Sequence, residues 1–203
     1  CKYNPSLMSV TYGAAGTTSG FTTEIANEIK NCGVSPLSHL TCLTSTRDKI
    51  HQVVGELEDN GIENILALRG DIPQGFEFKD KQYFKNAYQL VNEIKAMNPN
   101  LCVGAACYPE GHPVSVSRPQ DLDYVKAKVD AGADFLTTQM FFDKAIFYNF
   151  LFRALCRGIR VPVVAGIMPI TDTRLLKRTV QLSGAALPPR FAAIADRFWD
   201  DPK

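Results

Sequence analysis

Short apolar runs recur along the chain, separated by longer segments in which apolar residues return every three or four positions. The runs are Leu7–Tyr12, Leu37–Leu43, Ile65–Arg69, Leu101–Cys107, Phe135–Met140 and Val161–Ile167. Runs of this length predict strands covered on both faces. Between them the period changes to that of a helix. Thr22–Cys32 carries Ile25 and Ile29, and Arg47–Asn60 carries Ile50, Val53, Val54 and Leu57 before a natural stop at Gly61. Tyr83–Met97 carries Ala87, Leu90, Val91 and Ile94, and Gln120–Ala131 carries Leu122, Val125 and Val129. Lys144–Arg157, Arg174–Leu182 and Phe191–Trp199 complete the predicted helices.

Strand–helix alternation predicts a parallel sheet with helices outside it. An open doubly wound sheet and a (β/α)8 barrel missing two strands both fit six strands. The strand ends favour the barrel. Thr11-Tyr12-Gly13 follows the first run and His39 lies in the second. Arg69 and Asp71 end the third, and Tyr108 and His112 follow the fourth. Gln139 ends the fifth, and Pro169 follows the sixth. Polar or aromatic groups at nearly every strand end suit a barrel whose C-terminal face gathers on one ligand. A doubly wound nucleotide fold would instead concentrate its signal in a Gly-x-Gly-x-x-Gly turn, which the chain lacks. The expectation is one domain over residues 1–203, with the polar stretch Ile72–Lys81 as a candidate lid.

Composition narrows the function classes. A net charge of +1 gives no pull toward nucleic acid or an acidic membrane surface. No apolar run reaches transmembrane length. The six cysteines form no Cys-x-x-Cys pair, which removes the zinc-ribbon and thioredoxin readings, and no metal site is expected. Cys42, Cys102 and Cys107 sit in apolar runs, which suits reduced thiols and a cytoplasmic setting. The start, Cys1-Lys2-Tyr3-Asn4-Pro5, is no signal peptide and has no initiator methionine, so a trimmed or partly represented chain is expected.

Candidate chemistry centres on Leu66-Ala67-Leu68-Arg69-Gly70-Asp71, a strand that delivers a cation, a glycine and a carboxylate where it leaves the sheet. Asp71 could accept a hydrogen bond from a ligand N–H or tune a cofactor ring, and the competing reading is an Arg–Asp staple. His39, in a strand, is either a core residue or a ligand contact. His112, between Gly111 and Pro113, could reach a phosphate or ribose, and Tyr108 precedes Pro109 in an extended exit from the sheet. Asp121 and Lys128 share a helix face, lining a groove or facing solvent. Gln139 offers two donors and an acceptor to a heterocycle's edge, with Phe141-Phe142 beside it as a stacking surface or as core.

Several motifs then fall in one order. They are Ser9-Val10-Thr11-Tyr12-Gly13-Ala14, His39-Leu40-Thr41-Cys42, Leu66–Asp71 and Tyr108-Pro109-Glu110-Gly111-His112-Pro113. Lys128–Phe135, Thr138-Gln139-Met140-Phe141-Phe142-Asp143 and Pro162…Gly166-Ile167-Met168-Pro169-Ile170 follow. Together they resemble the methylenetetrahydrofolate reductase family from about Leu7 to the chain end. The resemblance implies a TIM-barrel flavoprotein of one-carbon and methionine metabolism, with residues 1–203 as a single catalytic-domain portion lacking the first and last strands of the (β/α)8 barrel. It would use FAD to pass hydride from NADH or NADPH to 5,10-methylenetetrahydrofolate, with ping-pong kinetics. Carried onto matching positions, Thr11, Tyr12, His39, Arg69, Gly70, Asp71, Ala87, Tyr108, His112, Asp121 and Lys128 become FAD contacts. Arg69, His112 and Lys128 become partners for its phosphates. Asp71 becomes the carboxylate beside flavin and folate, and Gln139 the amide that recognises the pterin. A homo-oligomer is implied as well.

The departures define a second reading. The family's Tyr-Ala at the Ala87 contact position is Asn86-Ala87 here, with Tyr83 or Phe84 as a replacement aromatic, and a contact position that is aromatic in some members is Thr179. The family's general-acid glutamate belongs to a strand expected before Cys1. Gly75-Phe76-Glu77-Phe78 imitates its motif in the wrong place, so Glu77 is not assigned as the acid. Without that acid, residues 1–203 alone are expected to turn over little or not at all. The alternative is a non-catalytic flavin- or folate-binding barrel. A barrel enzyme acting on phosphorylated metabolites is a third reading, disfavoured by the ordered motifs.

Overall fold

The computed structural model describes residues 3–12, 19–72, 83–169, 176, 179–180 and 183–197. Among the described residues twelve elements alternate: β1 (Leu7–Val10), α1 (Ser19–Asn31), β2 (Ser35–Thr41), α2 (Arg47–Asp59), β3 (Asn64–Leu68), α3 (Ala87–Met97), β4 (Cys102–Cys107), α4 (Arg118–Asp130), β5 (Phe135–Thr138), α5 (Lys144–Cys156), β6 (Val163–Val164) and α6 (Pro189–Arg197). The six strands are ordered β1-β2-β3-β4-β5-β6, and the pairs with a resolved register are parallel. This order has no switch point, as in a (β/α)8 barrel and unlike a doubly wound sheet. The chain divides into two compact units, Cys1–Ala106 with Ala127–Phe135, and Cys107–Lys126 with Leu136–Lys203.

In the first unit the register sorts side chains into two unequal faces. Ser38 pairs with Ile65 and Leu40 with Ala67, while Ile65 pairs with Val103 and Ala67 with Ala105. All six are 0% exposed, so this is the face the helices cover. On the opposite face His39, Thr41, Leu68 and Ala106 are only half-buried. That face is partly covered, with Leu37 and Leu66 on it buried. It also carries Gly104, where an added Cβ would collide with the ring of Phe135. The glycine provides the hollow that the ring occupies.

Two helices bury their predicted stripes, Ile50, Val53, Val54 and Leu57 of α2 and Ala87, Leu90, Val91 and Ile94 of α3, whereas Ile25 of α1 is exposed. Each buried valine, leucine or isoleucine among them contributes roughly 1.5–3 kcal/mol relative to exposure. At the start of α2 the Thr46 hydroxyl accepts from the Lys49 N–H at 3.3 Å, and Asp143 accepts from the Ala145 N–H at 2.8 Å to start α5. Such caps satisfy N–H groups the helix itself leaves unpaired.

Three expected boundaries are corrected. The third helix begins at Ala87 rather than Tyr83. Tyr83 forms an antiparallel bridge with Thr46, and the N–H groups of Lys85 and Asn86 donate to Gln89 Oε1 at 2.9 and 3.2 Å. The first strand ends at Val10, because the carbonyl of Thr11 accepts from the Thr22 hydroxyl. The last is only Val163–Val164, because the Gly166 N–H donates to Thr138 Oγ1 at 2.8 Å instead of extending the ladder. The candidate lid beyond Ile72, Glu77 and most of the predicted helix Arg174–Leu182 lie outside the described residues. Among the described residues the cysteines are free thiols, no helix is long and apolar enough to cross a membrane, and no metal-binding cluster occurs.

Candidate functional site

In the first unit, the ends of β2 and β3 run on together past their ladders. The N–H of Cys42 donates to the Leu68 carbonyl at 3.1 Å, and that of Leu43 to the Arg69 carbonyl at 3.0 Å. Gly70 then turns the chain at φ +79, where a Cβ would stand 2.9 Å from Thr41 Cβ. Glycine is required there on both counts. Asp71 follows, exposed. No ion pair joins Arg69 to Asp71 among the described residues. The staple reading therefore fails, and both charges lie where a ligand could engage them.

Lys128 does not sit in solvent. Its half-buried ammonium donates to the Ala106 carbonyl at 2.7 Å, at the end of β4. Arg69 and Lys128 also both act on the buried thiol of Cys42. Burial pushes that thiol up to about 12, while its backbone hydrogen bond and the two cations pull the other way. Two sequence-predicted cations therefore gather around the ends of neighbouring strands. His39 is half-buried on the open sheet face, and burial holds its imidazole below the usual histidine range. Thr11 is exposed, Tyr12 is buried, and Ala87 is buried at the first position of α3. Asn86 stands as the N-cap of that helix, a role an aromatic residue would not fill. Phe84, one of the two candidate replacement aromatics, is buried with the Arg47 guanidinium over its ring.

In the second unit, the loop after β4 turns at Gly111, whose N–H reaches the Tyr108 carbonyl at 3.0 Å. The rings of Tyr108 and His112 meet edge to face with centroids 4.5 Å apart. His112 Nδ1 accepts from the Val114 N–H at 3.2 Å, so Nε2 carries the ring proton and is the donor. Asp121 is also withdrawn from solvent. It is 7% exposed and accepts from the Ser115 hydroxyl at 3.1 Å.

The fifth strand ends in the same unit. The N–H of Gln139 donates to the Cys107 carbonyl at 2.8 Å, and its Oε1 accepts from the Met140 N–H at 3.1 Å. The amide is thereby oriented, and its nitrogen has no partner among the described residues. Gln139 lines a cavity of about 350 Å³ together with Thr138, Met140, Met168, Thr179 and Ser183. Small-molecule sites span roughly 300–1,000 Å³, so this space suits one ring system rather than a whole dinucleotide. Phe141 and Phe142 do not offer a bare stacking surface. Phe141 stacks on Phe147 at 4.9 Å, and Phe142 packs against Phe191 at 5.4 Å.

The sequence reading passed over Thr138, Ser183 and Ser115. Thr138 lies inside a quoted motif, but its partner Gly166 is distant in sequence. Ser115 and Asp121, six residues apart, could have been read as a local hydroxyl–carboxylate pair.

Known proteins resemble the chain throughout. The family model described as methylenetetrahydrofolate reductase matches residues 1–203. A maize protein, methylenetetrahydrofolate reductase (NADH) 1, is 36% identical over 98% of the chain, and the chain covers 36% of it. The 5,10-methylenetetrahydrofolate reductase of Escherichia coli is 34% identical over 97% of the chain, which covers 65% of it. The chain thus spans about a third of the plant relative's length and just under two thirds of the bacterial one's. Among solved structures, a Clostridium thermocellum protein that binds two copies of 5-methyl-5,6,7,8-tetrahydrofolic acid aligns with a TM-score of 0.56 at 14% identity, over 94% of this chain and 74% of that one. An oxaloacetate acetylhydrolase aligns at 0.57 and 14% identity, over 100% and 77%. These likenesses show the α/β fold alone. The sequence matches carry more: with its ordered motifs and whole-length agreement, this chain belongs to the methylenetetrahydrofolate reductase family.

Proposed function

We propose that the chain forms the flavin- and folate-binding part of an enzyme that reduces 5,10-methylenetetrahydrofolate to 5-methyltetrahydrofolate, with NADH or NADPH as electron donor. The observation that carries the substrate assignment is Gln139, oriented by its own neighbour and lining a cavity sized for one ring system. The lining mixes Thr138, Thr179 and Ser183 with Met140, Ile167 and Met168, which suits a flat heterocycle with a polar edge.

The residue types in each unit suit the FAD contacts that the family resemblance implies. In the first unit Arg69 and Lys128 supply cationic donors for phosphates, and Gly70, Thr11, Tyr12, His39 and Ala87 complete the contacts carried over from the family. In the second unit the Nε2–H of His112 is a donor, the buried Asp121 carboxylate suits ribose hydroxyls, and Tyr108 adds a ring. Bound FAD supplies the hydride chemistry, while the protein supplies position and electrostatics. Asp71 accepts from a ring N–H of the cofactor or the substrate. Gln139 holds the pterin edge. Donor and folate are taken in turn, so the kinetics are ping-pong. The general-acid glutamate of the family motif is not assigned within residues 1–203. The free thiols of Cys42, Cys102 and Cys107 suit a reducing, cytoplasmic compartment, and a homo-oligomer is the working form.

The deciding experiment is the visible spectrum of the intact natural protein before and after anaerobic NADH or NADPH. A flavin spectrum that bleaches, and recovers on adding methylenetetrahydrofolate, supports this reading. A colourless protein that FAD cannot reconstitute overturns it.

A further inference from the structure

Glu110 has no part in the function described so far, although it sits in the middle of Tyr108-Pro109-Glu110-Gly111-His112-Pro113. Its carboxylate reaches a segment far along the chain. Both oxygens accept from the backbone N–H of Ala186, each at 3.0 Å. Nearby, a Cβ on Gly184 would stand 2.9 Å from Pro113 Cγ, so the same two segments touch a second time. The segment is itself anchored: the Ala185 N–H donates to Ser183 Oγ at 3.2 Å, and Ser183 lines the cavity beside Gln139. A third tie holds the loop from α5, where Arg153 Nη2 donates to the Pro109 carbonyl at 3.1 Å.

We infer that Glu110 is a positioning residue that joins the loop carrying Tyr108 and His112 to the wall of the Gln139 cavity, so that ordering one orders the other. The inference rests on the proposed flavin and folate reading and adds a coupling to it. A carboxylate suits the task because an ionised acceptor holds a backbone N–H about twice as strongly as a neutral one. Serine or alanine at this position could not span to Ala186. An amide oxygen could, with a weaker bond.

Two measurements test this on the intact natural protein. The first is hydrogen–deuterium exchange with and without FAD. Slower exchange is expected on FAD binding in the peptide over residues 108–116 and also in the peptide over residues 183–188. Protection of the first without the second would overturn the coupling. The second measurement compares variants by FAD affinity and by the KM for methylenetetrahydrofolate. Glu110→Ala is expected to weaken FAD binding about tenfold and to raise the folate KM, and Glu110→Gln to restore most of both. Normal values for Glu110→Ala, or a Glu110→Gln no better than Glu110→Ala, would overturn the inference. If Glu110→Ala does not fold, the exchange experiment on the unaltered protein still decides. Failure of the unaltered protein to bind FAD would instead defeat the underlying reading.

Discussion

The ammonium of Lys128 donates to the carbonyl oxygen of Ala106 at 2.7 Å, tying the last turn of α4 to the end of β4. A lysine held this way has most of its side-chain freedom already removed, so a phosphate that shares it costs less ordering. Lys128→Ala should weaken FAD binding by about tenfold and lower stability by roughly 1 kcal/mol. Flavin released per mole of purified protein and a urea titration check the two effects separately. Full flavin content would reduce Lys128 to a structural tie.

Asp71 differs, being exposed and unpaired with Arg69. Asp71→Asn should therefore leave stability within about 0.5 kcal/mol, as for a surface site. It should retain FAD and slow reoxidation of the reduced enzyme by methylenetetrahydrofolate more than it slows reduction by the nicotinamide donor. Stopped-flow measurement of the two half-reactions tests this, and an unchanged folate step would remove Asp71 from its role.

Gly166 is a tightly packed point in the cavity wall. Its N–H donates to Thr138 Oγ1 at 2.8 Å, and an added Cβ would collide with the Thr138 backbone oxygen. Backbone has little room to yield, so Gly166→Ala should cost about 1–3 kcal/mol by forcing β6 away from β5. Because Gln139 follows Thr138 directly, the folate KM should rise too. Thermal melting and steady-state kinetics would show both, and an unaffected melt would mean the strands part easily.

Two buried groups set opposite pH limits. Cys42 has a folded value raised from 9.0 to about 12. Below 9.0 both folded and unfolded chains keep the thiol proton, whereas between 9.0 and about 12 only the folded chain does, so stability falls as pH rises through that window. His39 is lowered from 6.5 by burial, so the unfolded chain takes up a proton first and stability falls as pH drops below 6.5. Cys42→Ala should flatten the alkaline limb and His39→Gln the acid limb in urea titrations across pH. Slopes that do not change would assign the pH dependence to other groups. In the native protein the exposed Cys32 and Cys156 should alkylate and the buried Cys42 should not, as mass spectrometry of the labelled chain would show.

How much of this was legible in the sequence follows from the range of each interaction. Strands such as β3 were readable because their residues stay apolar on both faces, as in the unbroken run Ile65–Leu68. The stripe on α2 was readable because its period is local. The start of α3 was not, because one side chain, Gln89, withdraws two N–H groups from the helix. The brevity of β6 was hidden in the Thr138 hydroxyl. In the site, the strand-end positions of Arg69, Gly70, Asp71 and Gln139 could be read from their motifs. What could not be read was engagement. Asp71 left clear of Arg69 leaves no mark in its own segment, whereas the burial of Asp121 had a local sign in Ser115 six residues before it. Glu110 and Ala186 lie 76 positions apart, and no pattern within either segment announces the other.

The hollow at Gly104 has a consequence for how the family can vary. Phe135 occupies the space that any larger residue at position 104 would need. A change at either position alone leaves a collision or a void, and each alone should destabilise the first unit. Descendants of this sequence should therefore exchange the two residues as a pair, with a smaller partner at 135 accompanying any side chain at 104. Lineages that gain only one of the changes should be rare or carry a compensating neighbour.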